Sequence, residues 1–169
     1  MRPLSLFLLL LALAAGCAAP EQPGDGDVLL VPVDADRLED EIASIGADVV
    51  VLNAWATWCG PCRVEMPEFV AFSEDAAADN IAVRFVSMDE PGLRQKAEEV
   101  LESYGVKGVS YIRAEDTGIG FLSRLHPQWA GQLPATFVFD GQGQLLDFWI
   151  GVASYDELRD RTTVHLSRS

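Results

Sequence analysis

The stretch Asn53–Phe69, NAWATWCGPCRVEMPEF, places two cysteines two residues apart directly behind an apolar run. The whole chain of 169 residues holds only three cysteines. The apolar run that leads into the pair, VVVLNAW, is typical of a strand covered on both faces. Pro61 suits the first turn of a helix, where its missing N–H needs no partner. The stretch therefore predicts a strand, a short turn, and a helix that begins at Cys59 or Gly60, with Pro67 kinking it partway.

The position of Cys59 at a helix N-terminus favours a charged sulfur. Unpaired backbone N–H groups and the positive end of the helix dipole both stabilise a thiolate there, and the thiolate is the form that attacks a disulfide. Cys62 lies one turn later on the same helix face, within reach of Cys59 for a disulfide. We therefore expect Cys59 to be an exposed nucleophile and Cys62 to resolve the mixed disulfide.

A metal site or a structural bond could also account for the cysteine pair. A zinc site needs two more ligands, and the chain has only His126 and His165, which are far apart in the sequence. A purely structural disulfide fits an exported protein, but closing so short a loop constrains the unfolded chain little. Redox chemistry is the favoured interpretation.

Apolar, β-rich runs alternate with helical patterns along the rest of the chain. Pro32 predicts that the first strand lies at an edge of the sheet, Gly141-Gln142-Gly143 predicts a hairpin between the last two strands, and Ser154 predicts a helix cap. The predicted strands are Val28–Val33, 48–55, 81–88, 108–112, Ala135–Asp140 and 144–151. Besides the helix that begins at Cys59 or Gly60, the predicted helices are 35–46, 91–105, 119–125 and 154–166. The apolar side of the helix at 91–105 is expected to hold Leu93, Ala97, Val100, Leu101 and Tyr104.

This order of elements, together with the string Trp-Cys-Gly-Pro-Cys, resembles the thioredoxin fold over nearly all of the chain from Val28 onward. The resemblance implies an α/β fold with a central mixed β-sheet flanked by helices. The segment 91–129, between the third strand and the hairpin, is longer than in small thioredoxins. This extra helix and strand is similar to the insertion of the exported, anchored TlpA/ResA branch of the superfamily.

The resemblance also implies a substrate-binding surface. In QLPATFVFD, Pro134 matches the family's cis-proline, which faces the cysteine pair, and the backbone of Leu133 is expected to pair with an extended substrate chain. A trans proline that merely opens a strand is the alternative. Trp58, Gly60 and Pro61 complete the predicted substrate-binding residues.

The acid that assists the cysteines departs from the thioredoxin pattern. Thioredoxins carry a buried Asp six residues before the first cysteine, where this chain has Asn53, which cannot take a proton. Glu65 lies one helical turn beyond Cys62 and leans toward the helix N-terminus. ResA-like reductases have a glutamate at the matching position, so Glu65 is the predicted proton acceptor. An ordinary exposed helix acid is the alternative.

Four aromatic residues lie in or shortly before the last two predicted strands. His126 and Trp129 precede the loop of Pro134. One interpretation is that both border the substrate groove. The alternative is that His126 lies at the surface and Trp129 in the core. Phe148 and Trp149, in the last predicted strand, are expected in the core.

The first 16 residues are typical of an export signal, with Arg2 followed by an apolar run shorter than the roughly 20 residues that span a membrane. Ala14-Ala15-Gly16-Cys17 resembles the lipobox of bacterial lipoproteins, which implies that Cys17 becomes the acylated first residue. Ordinary cleavage near Ala19 is the alternative. We expect a signal peptide over 1–16, a flexible tether over 17–27, rich in Pro, Gly and acid, and a thioredoxin-like domain over 28–169. Lipidation of Cys17 leaves Cys59 and Cys62 as the one thiol pair.

The formal net charge of −14, from 12 basic and 26 acidic residues, argues against nucleic-acid partners. We expect an extracytoplasmic, lipid-anchored thiol–disulfide oxidoreductase, acting as a protein-disulfide reductase through Cys59-Gly-Pro-Cys62. The expected protein is a monomer without metal or other cofactor, uses protein thiol or disulfide substrates, and is recharged by a membrane electron donor. The family resemblance implies apocytochrome c thiols among the clients, and nothing in the sequence selects them. Alternatives are a disulfide-forming oxidase and a non-catalytic thioredoxin-fold module that binds a metal or a partner. A peroxidase is disfavoured, since its cysteine typically lies in a Pro/Thr-rich loop.

Overall fold

The computed structural model describes residues 28–115 and 117–166. The predicted signal peptide, tether and lipidated Cys17 lie outside the described residues. The elements are β1 (Val28–Val33), α1 (Ala35–Ser44), β2 (Val49–Trp55), α2 (Gly60–Ala76), β3 (Ile81–Ser87), α3 (Arg94–Ser103), β4 (Gly108–Arg113), β5 (Ala135–Asp140), β6 (Leu145–Ile150) and α4 (Tyr155–Leu166), with 3-10 turns at Ala77–Asp79, Pro91–Leu93 and Ile119–Arg124. None of the helices in this part of the chain has the length and apolar character needed to span a bilayer.

The strands of the described residues form one mixed sheet in the order β1-β4-β3-β2-β5-β6. β1, β4, β3 and β2 are mutually parallel. β5 runs antiparallel to β2, and β6 runs antiparallel to β5 as the predicted hairpin. Helices flank this sheet, with α2 and α4 in contact with each other and α1 and α3 in contact with β1. The predicted α/β thioredoxin fold, with a helix and strand inserted before the hairpin, is confirmed.

The central strand β2 is buried at every residue, as its unbroken apolar run predicts. It pairs with β3 on one side and β5 on the other, so both of its edges are hydrogen-bonded. β1 lies at the edge of the sheet, where Pro32 lacks a donor without cost to the ladder. The chain thus leaves the middle of the sheet at Trp55, and the turn that leads to Cys59 begins from the most buried strand of the fold.

Side chains cap the helices on either side of this core. Asp34 Oδ1 accepts a hydrogen bond from the backbone N–H of Arg37 at the start of α1, at 2.9 Å. At the start of α4 the predicted cap is confirmed, because Ser154 Oγ accepts from the backbone N–H of Glu157 at 3.3 Å. The Glu157 carboxylate accepts from the backbone N–H of Ser154 at 2.9 Å in return. This reciprocal pair is a capping box.

The expected apolar side of α3 is wrong at one position. Leu93 is 39% exposed, whereas Ala97 and Leu101 are fully buried. The reason is that Pro91–Leu93 forms a 3-10 turn and α3 begins only at Arg94, so Leu93 does not follow the helical phase of the later residues.

The expectation that Phe148 and Trp149 belong to the core holds only in part, since both pack against the core without being fully buried in it. Both are only half-buried. They lie in β6, which is the second edge strand of the sheet. Phe148 packs against Phe137 with ring centroids 4.9 Å apart, and the Arg161 guanidinium lies 4.1 Å from the centre of the Trp149 ring. An edge strand thus leaves both rings partly open to solvent.

The β5–β6 hairpin approaches the start of β2 closely. Asp140 Oδ1 accepts from the backbone N–H groups of Gln142 and Gln144, each at 2.9 Å, which fixes the turn. A Cβ atom at Gly141 would lie 2.5 Å from the carbonyl oxygen of Ala47. Only a glycine fits this position without displacing one of the two backbones.

We predict that Gly141→Ala lowers the free energy of unfolding by about 1–3 kcal/mol, because the new methyl group overpacks a backbone contact. Gly92→Ala is the matched control, since no heavy atom lies within 4 Å of a Cβ built at Gly92. The control is expected to change stability by less than about 0.5 kcal/mol. Urea unfolding of both variants measures the difference, and equal stabilities would contradict the close approach.

Candidate active site

The cysteine pair lies at the junction between the central strand and α2. Cys59 is the N-cap residue of α2, in an extended conformation, and its Sγ accepts a hydrogen bond from the backbone N–H of Cys62 at 3.3 Å. The backbone N–H of Cys59 donates to the carbonyl oxygen of Ala56 at 3.0 Å. The sulfur of Cys59 is thus directed at the unpaired N–H groups of the helix, which is where a thiolate is stabilised.

Cys59 and Cys62 form a disulfide, with their Cα atoms 5.3 Å apart. Cys62 is wholly buried, and Cys59 is 5% exposed. Cys59 is therefore less exposed than the sequence suggests, because its side chain turns back over the first turn of α2. It is still the one of the pair that solvent reaches. Within residues 28–115 and 117–166, no group of three or more His, Cys, Asp and Glu side chains is arranged to hold a metal ion.

Glu65 is buried beside this junction, with 1% of its surface exposed. Its Oε1 accepts from Asn53 Nδ2 at 2.8 Å, and its Oε2 accepts from the backbone N–H of Ala153 at 2.9 Å. Burial raises the pKa of Glu65 from its ordinary 4.5 to about 7, against the lowering effect of these two hydrogen bonds. The alternative of an ordinary exposed helix acid is wrong.

The Glu65 carboxylate connects three separate parts of the chain. It joins α2 to β2 through Asn53, and to the loop between β6 and α4 through Ala153. The same loop is tied to the start of β5, because the backbone N–H of Gly151 donates to the carbonyl oxygen of Pro134 at 2.9 Å. The loop is therefore held both to α2 and to the residue that precedes β5.

The Leu133–Pro134 peptide bond is cis, as the resemblance implies. Ala135, which follows it, pairs with Ala54 near the end of β2. Because β5 is antiparallel to β2, the start of β5 and the turn that leads to Cys59 lie at the same end of these two central strands. The turn that carries the cysteine pair and the loop that carries Pro134 thus lie at the same end of β2 and β5.

The predicted substrate-binding residues differ in exposure. Trp58 is 62% exposed. Gly60 and Pro61 are exposed in the first turn of α2, Leu133 is half-buried, and Pro134 is buried. Their role in binding stays a prediction. Three further apolar side chains, which the sequence did not single out, are exposed in α2, at the end of β6 and in the loop that follows β6. They are Val64, Ile150 and Val152.

A buried carboxylate holds the turn before Cys59, and no sequence pattern pointed to it. Asp89 is fully buried and follows β3. It accepts from the backbone N–H of Thr57 at 2.9 Å, from the Thr57 hydroxyl at 2.7 Å and from the Ser87 hydroxyl at 2.8 Å. Thr57 is 32 residues away in the sequence, so only the parallel pairing of β2 and β3 brings the groups together.

His126 and Trp129 do not share one role. Trp129 is 1% exposed, and its indole N–H donates to the carbonyl oxygen of Gln132 at 2.8 Å. Trp129 is therefore a core residue. His126 is half-buried and stacks on Phe148, with ring centroids 4.3 Å apart.

We predict that Glu65 makes the oxidised protein less stable as the pH rises from about 4.5 to about 7. In that range the unfolded chain releases the Glu65 proton while the folded chain retains it, so the folded state loses stability with increasing pH. Above about pH 7 the loss in free energy of unfolding approaches about 3 kcal/mol, because each unit by which the pKa is raised corresponds to about 1.4 kcal/mol. Denaturant unfolding of the wild type and of Glu65→Gln across this range measures the effect.

The Gln variant is expected to gain stability relative to the wild type as the pH rises, because it has no proton to lose. All other acids titrate in both proteins and cancel in the comparison. A constant difference across the range would contradict a raised pKa of Glu65.

Known proteins resemble this chain over most of its length. The Redoxin family profile matches residues 41–157. The chain is 26% identical over 148 residues to the thiol-disulfide oxidoreductase ResA of Geobacillus thermodenitrificans, covering 88% of this chain and 76% of that protein. It is 24% identical over 168 residues to the sporulation thiol-disulfide oxidoreductase A of Bacillus subtilis, covering 95% of this chain and 96% of that protein.

A solved structure supports the fold. The thiol:disulfide interchange protein of the thioredoxin family from Chlorobium tepidum superposes with a TM-score of 0.62 at 19% identity, covering 88% of this chain and 99% of that chain. The TlpA/ResA-like resemblance is thus confirmed, and the chain is a thiol–disulfide oxidoreductase. With more than half of its length matched by one family profile, the chain belongs to the Redoxin family.

Proposed function

We propose that this oxidoreductase is a protein-disulfide reductase in which Cys59 is the nucleophile, Cys62 the resolving thiol and Glu65 the proton acceptor. The observation that carries the proposal is the disulfide at the N-terminus of α2, one helical turn before a buried carboxyl group. The Gly-Pro dipeptide between the cysteines is that of thioredoxin and supports the reducing direction over the disulfide-forming oxidase.

The reaction begins from the reduced pair. The Cys59 thiolate attacks one sulfur of a substrate disulfide, which breaks that bond and releases the other substrate sulfur as a thiolate. Cys62 then passes its proton to Glu65, and the Cys62 thiolate attacks Cys59 Sγ in the mixed disulfide. The second substrate sulfur leaves and takes up a proton. The substrate gains two electrons, and the protein is left with the Cys59–Cys62 bond.

The pKa of Glu65, raised to about 7 by burial, suits both halves of this cycle. Near neutral pH the carboxyl group is present in both charge states, so it can accept a proton from Cys62 and later return it. An acid with the ordinary value of 4.5 would be a weaker base toward a thiol. No cofactor enters these steps, since the disulfide itself carries the electrons.

We assign substrate binding to the end of β2 and β5 where the cysteine pair and the loop of Pro134 lie. We place an extended segment of the client protein against the backbone of Leu133, before the cis bond to Pro134. The exposed Trp58 ring and the exposed first residues of α2, Gly60 and Pro61, form the other side. Protein thiols and disulfides are therefore the substrates, and the net charge of −14 disfavours nucleic acid.

We further propose an extracytoplasmic location for a monomer anchored by a lipid on Cys17, with 1–16 removed as signal peptide, 17–27 as tether and 28–169 as the working domain. The lipobox-like Ala14-Ala15-Gly16-Cys17 supports the anchor. An oxidised pair needs electrons from a membrane donor in this setting.

We predict that Cys17→Ser moves the protein from the membrane fraction to the soluble fraction, because serine cannot carry the thioether-linked lipid. Fractionation of cells that express either form measures the change. Retention of the variant in the membrane fraction would contradict the anchor.

We predict that Cys59→Ser abolishes the reduction of insulin disulfides, because the attacking thiolate is lost. Cys62→Ser is expected to accumulate a mixed disulfide between Cys59 and the substrate, because nothing resolves it. Turbidity of insulin and the mass of the trapped adduct are the measurements. Thr57→Ser, which keeps the hydroxyl that donates to Asp89, is the control for a conservative change beside the pair.

Retained insulin reduction by Cys59→Ser would end the proposed mechanism. An adduct that forms on Cys62 in Cys59→Ser, and not on Cys59 in Cys62→Ser, would reverse the two roles.

A further inference from the structure

Asn53 carries a buried oxygen that has no partner among the described residues. The residue is fully buried in β2. Its Nδ2 donates to Glu65 Oε1 at 2.8 Å and lies 3.4 Å from the hydroxyl oxygen of Thr136, its neighbour across the β2–β5 ladder. Its Oδ1 accepts no hydrogen bond. A buried acceptor without a donor is uncommon and costs stability, so it needs a physical reason.

The two charge states of Glu65 supply that reason. As a carboxylate, Glu65 only accepts, and both of its contacts are N–H donors, from Asn53 and from the backbone of Ala153. As a neutral acid it also donates through its O–H. The backbone of Ala153 has no acceptor to offer through its N–H. Asn53 has one, because its amide carries an oxygen and a nitrogen of nearly equal size.

We propose that Asn53 is a positioning residue for the Glu65 proton, and that its amide turns over to donate to the carboxylate and accept from the neutral acid. The Thr136 hydroxyl follows the turn, since it accepts from Nδ2 in one orientation and donates to Oδ1 in the other. The inference deepens the proposed function, because it rests on Glu65 as the group that takes and returns the proton. Oδ1, unpartnered while Glu65 is a carboxylate, then accepts from the neutral acid, and Nδ2 takes the buried place that Oδ1 leaves.

An amide at position 53, where thioredoxins have a carboxyl group, is consistent with this role. A charged carboxyl there would offer the Glu65 carboxylate no donor, and two buried like charges would oppose each other. The amide of Asn53 provides a partner in both states without titrating itself. Thr136 is fully buried and also neutral, and its hydroxyl can either accept from the Asn53 amide or donate to it.

No charged residue of the described chain forms a hydrogen bond or ion pair with Glu65. On α2, Cys59 and Cys62 are joined in the disulfide, and Glu68 is exposed and accepts from the backbone N–H of Tyr155. On α4, Glu157 is exposed and bonded to Ser154. β2 and β5 contribute the neutral Asn53 and Thr136 at this level. A titration of the oxidised protein near neutral pH therefore reports Glu65 itself.

The test follows Asn53 by NMR in the oxidised full-length protein, labelled with ¹⁵N in asparagine and ¹³C in glutamate. The chain has two asparagines, and exposed Asn80 is the internal control. At about pH 9 the Asn53 amide protons should show a nuclear Overhauser contact to the Thr136 side chain, whose hydroxyl oxygen lies 3.4 Å from Asn53 Nδ2. By about pH 5 that contact should be lost. The pH at the midpoint of its loss should equal the midpoint of the titration of the Glu65 carboxyl signal. Asn80 should show no such change.

A contact between the Asn53 amide protons and Thr136 that persists through the whole Glu65 titration would overturn the turnover of the amide. Asn53→Leu provides a second measurement, with Asn80→Gly as its matched control. The Leu variant removes a charge-assisted donor and a neutral acceptor together. The midpoint of Glu65 should therefore rise by about one pH unit, while the control leaves it in place. An unchanged midpoint in folded Asn53→Leu would also overturn the inference.

The result is separable from the proposed function. Insulin reduction by Glu65→Gln tests whether Glu65 handles the proton in catalysis. The NMR contact tests only whether Asn53 adapts to the charge of Glu65, and it is measured in the wild type with the disulfide intact. A catalytic failure of Glu65 with a pH-dependent contact would retire the proton step alone.

Discussion

The structure depends on a single junction, where the fully buried strand β2 passes into the N-terminus of α2. The strand cannot shift, because it is paired on both edges and covered on both faces. The next fixed points are Cys59 Sγ, which accepts from the Cys62 N–H, and Thr57, which is bonded to buried Asp89. A sulfur atom is thereby placed at the positive end of a helix dipole by the fully buried central strand of the sheet.

The buried Glu65 carboxyl is the second consequence of that junction. Because it lies in α2 one turn after Cys62, it points into the space between β2 and the loop after β6. Burial costs stability once the group is charged, and the two donors from Asn53 and Ala153 offset only part of that cost. A group that is neutral and charged in similar measure near neutral pH is the result. The fold thus gives up some stability to keep a titratable carboxyl group buried one helical turn after Cys62.

Much of the fold could be predicted from local patterns. The run before Cys59 predicted a buried strand, Pro61 predicted the first turn of α2, and the Gly-rich turn after Asp140 predicted the hairpin. Each of these elements depends on backbone geometry that a few neighbouring residues dictate. The cis bond before Pro134 was predicted differently, through the family resemblance of its loop.

Contacts between distant segments could not be predicted in the same way. The donor from Ala153 to Glu65 is a backbone N–H, which every residue except proline possesses, 88 positions away. The Asp89 bonds to Thr57 likewise require knowledge of the strand register. Leu93 was misplaced because a proline-led 3-10 turn changes the helical phase before α3 begins. Long-range register and turn type decide such cases, and periodicity alone does not report them.

We propose that the Cys59–Cys62 pair gives electrons to substrate disulfides, and the reduction potential of that pair tests this most directly. Equilibration of the protein with glutathione or dithiothreitol buffers at known ratios provides the value. We predict a potential near or below about −230 mV, in the range of thioredoxin, which corresponds to a reductase that needs a supply of electrons. A potential near about −120 mV, as in strong oxidants, would contradict the claim and make the protein a donor of disulfides.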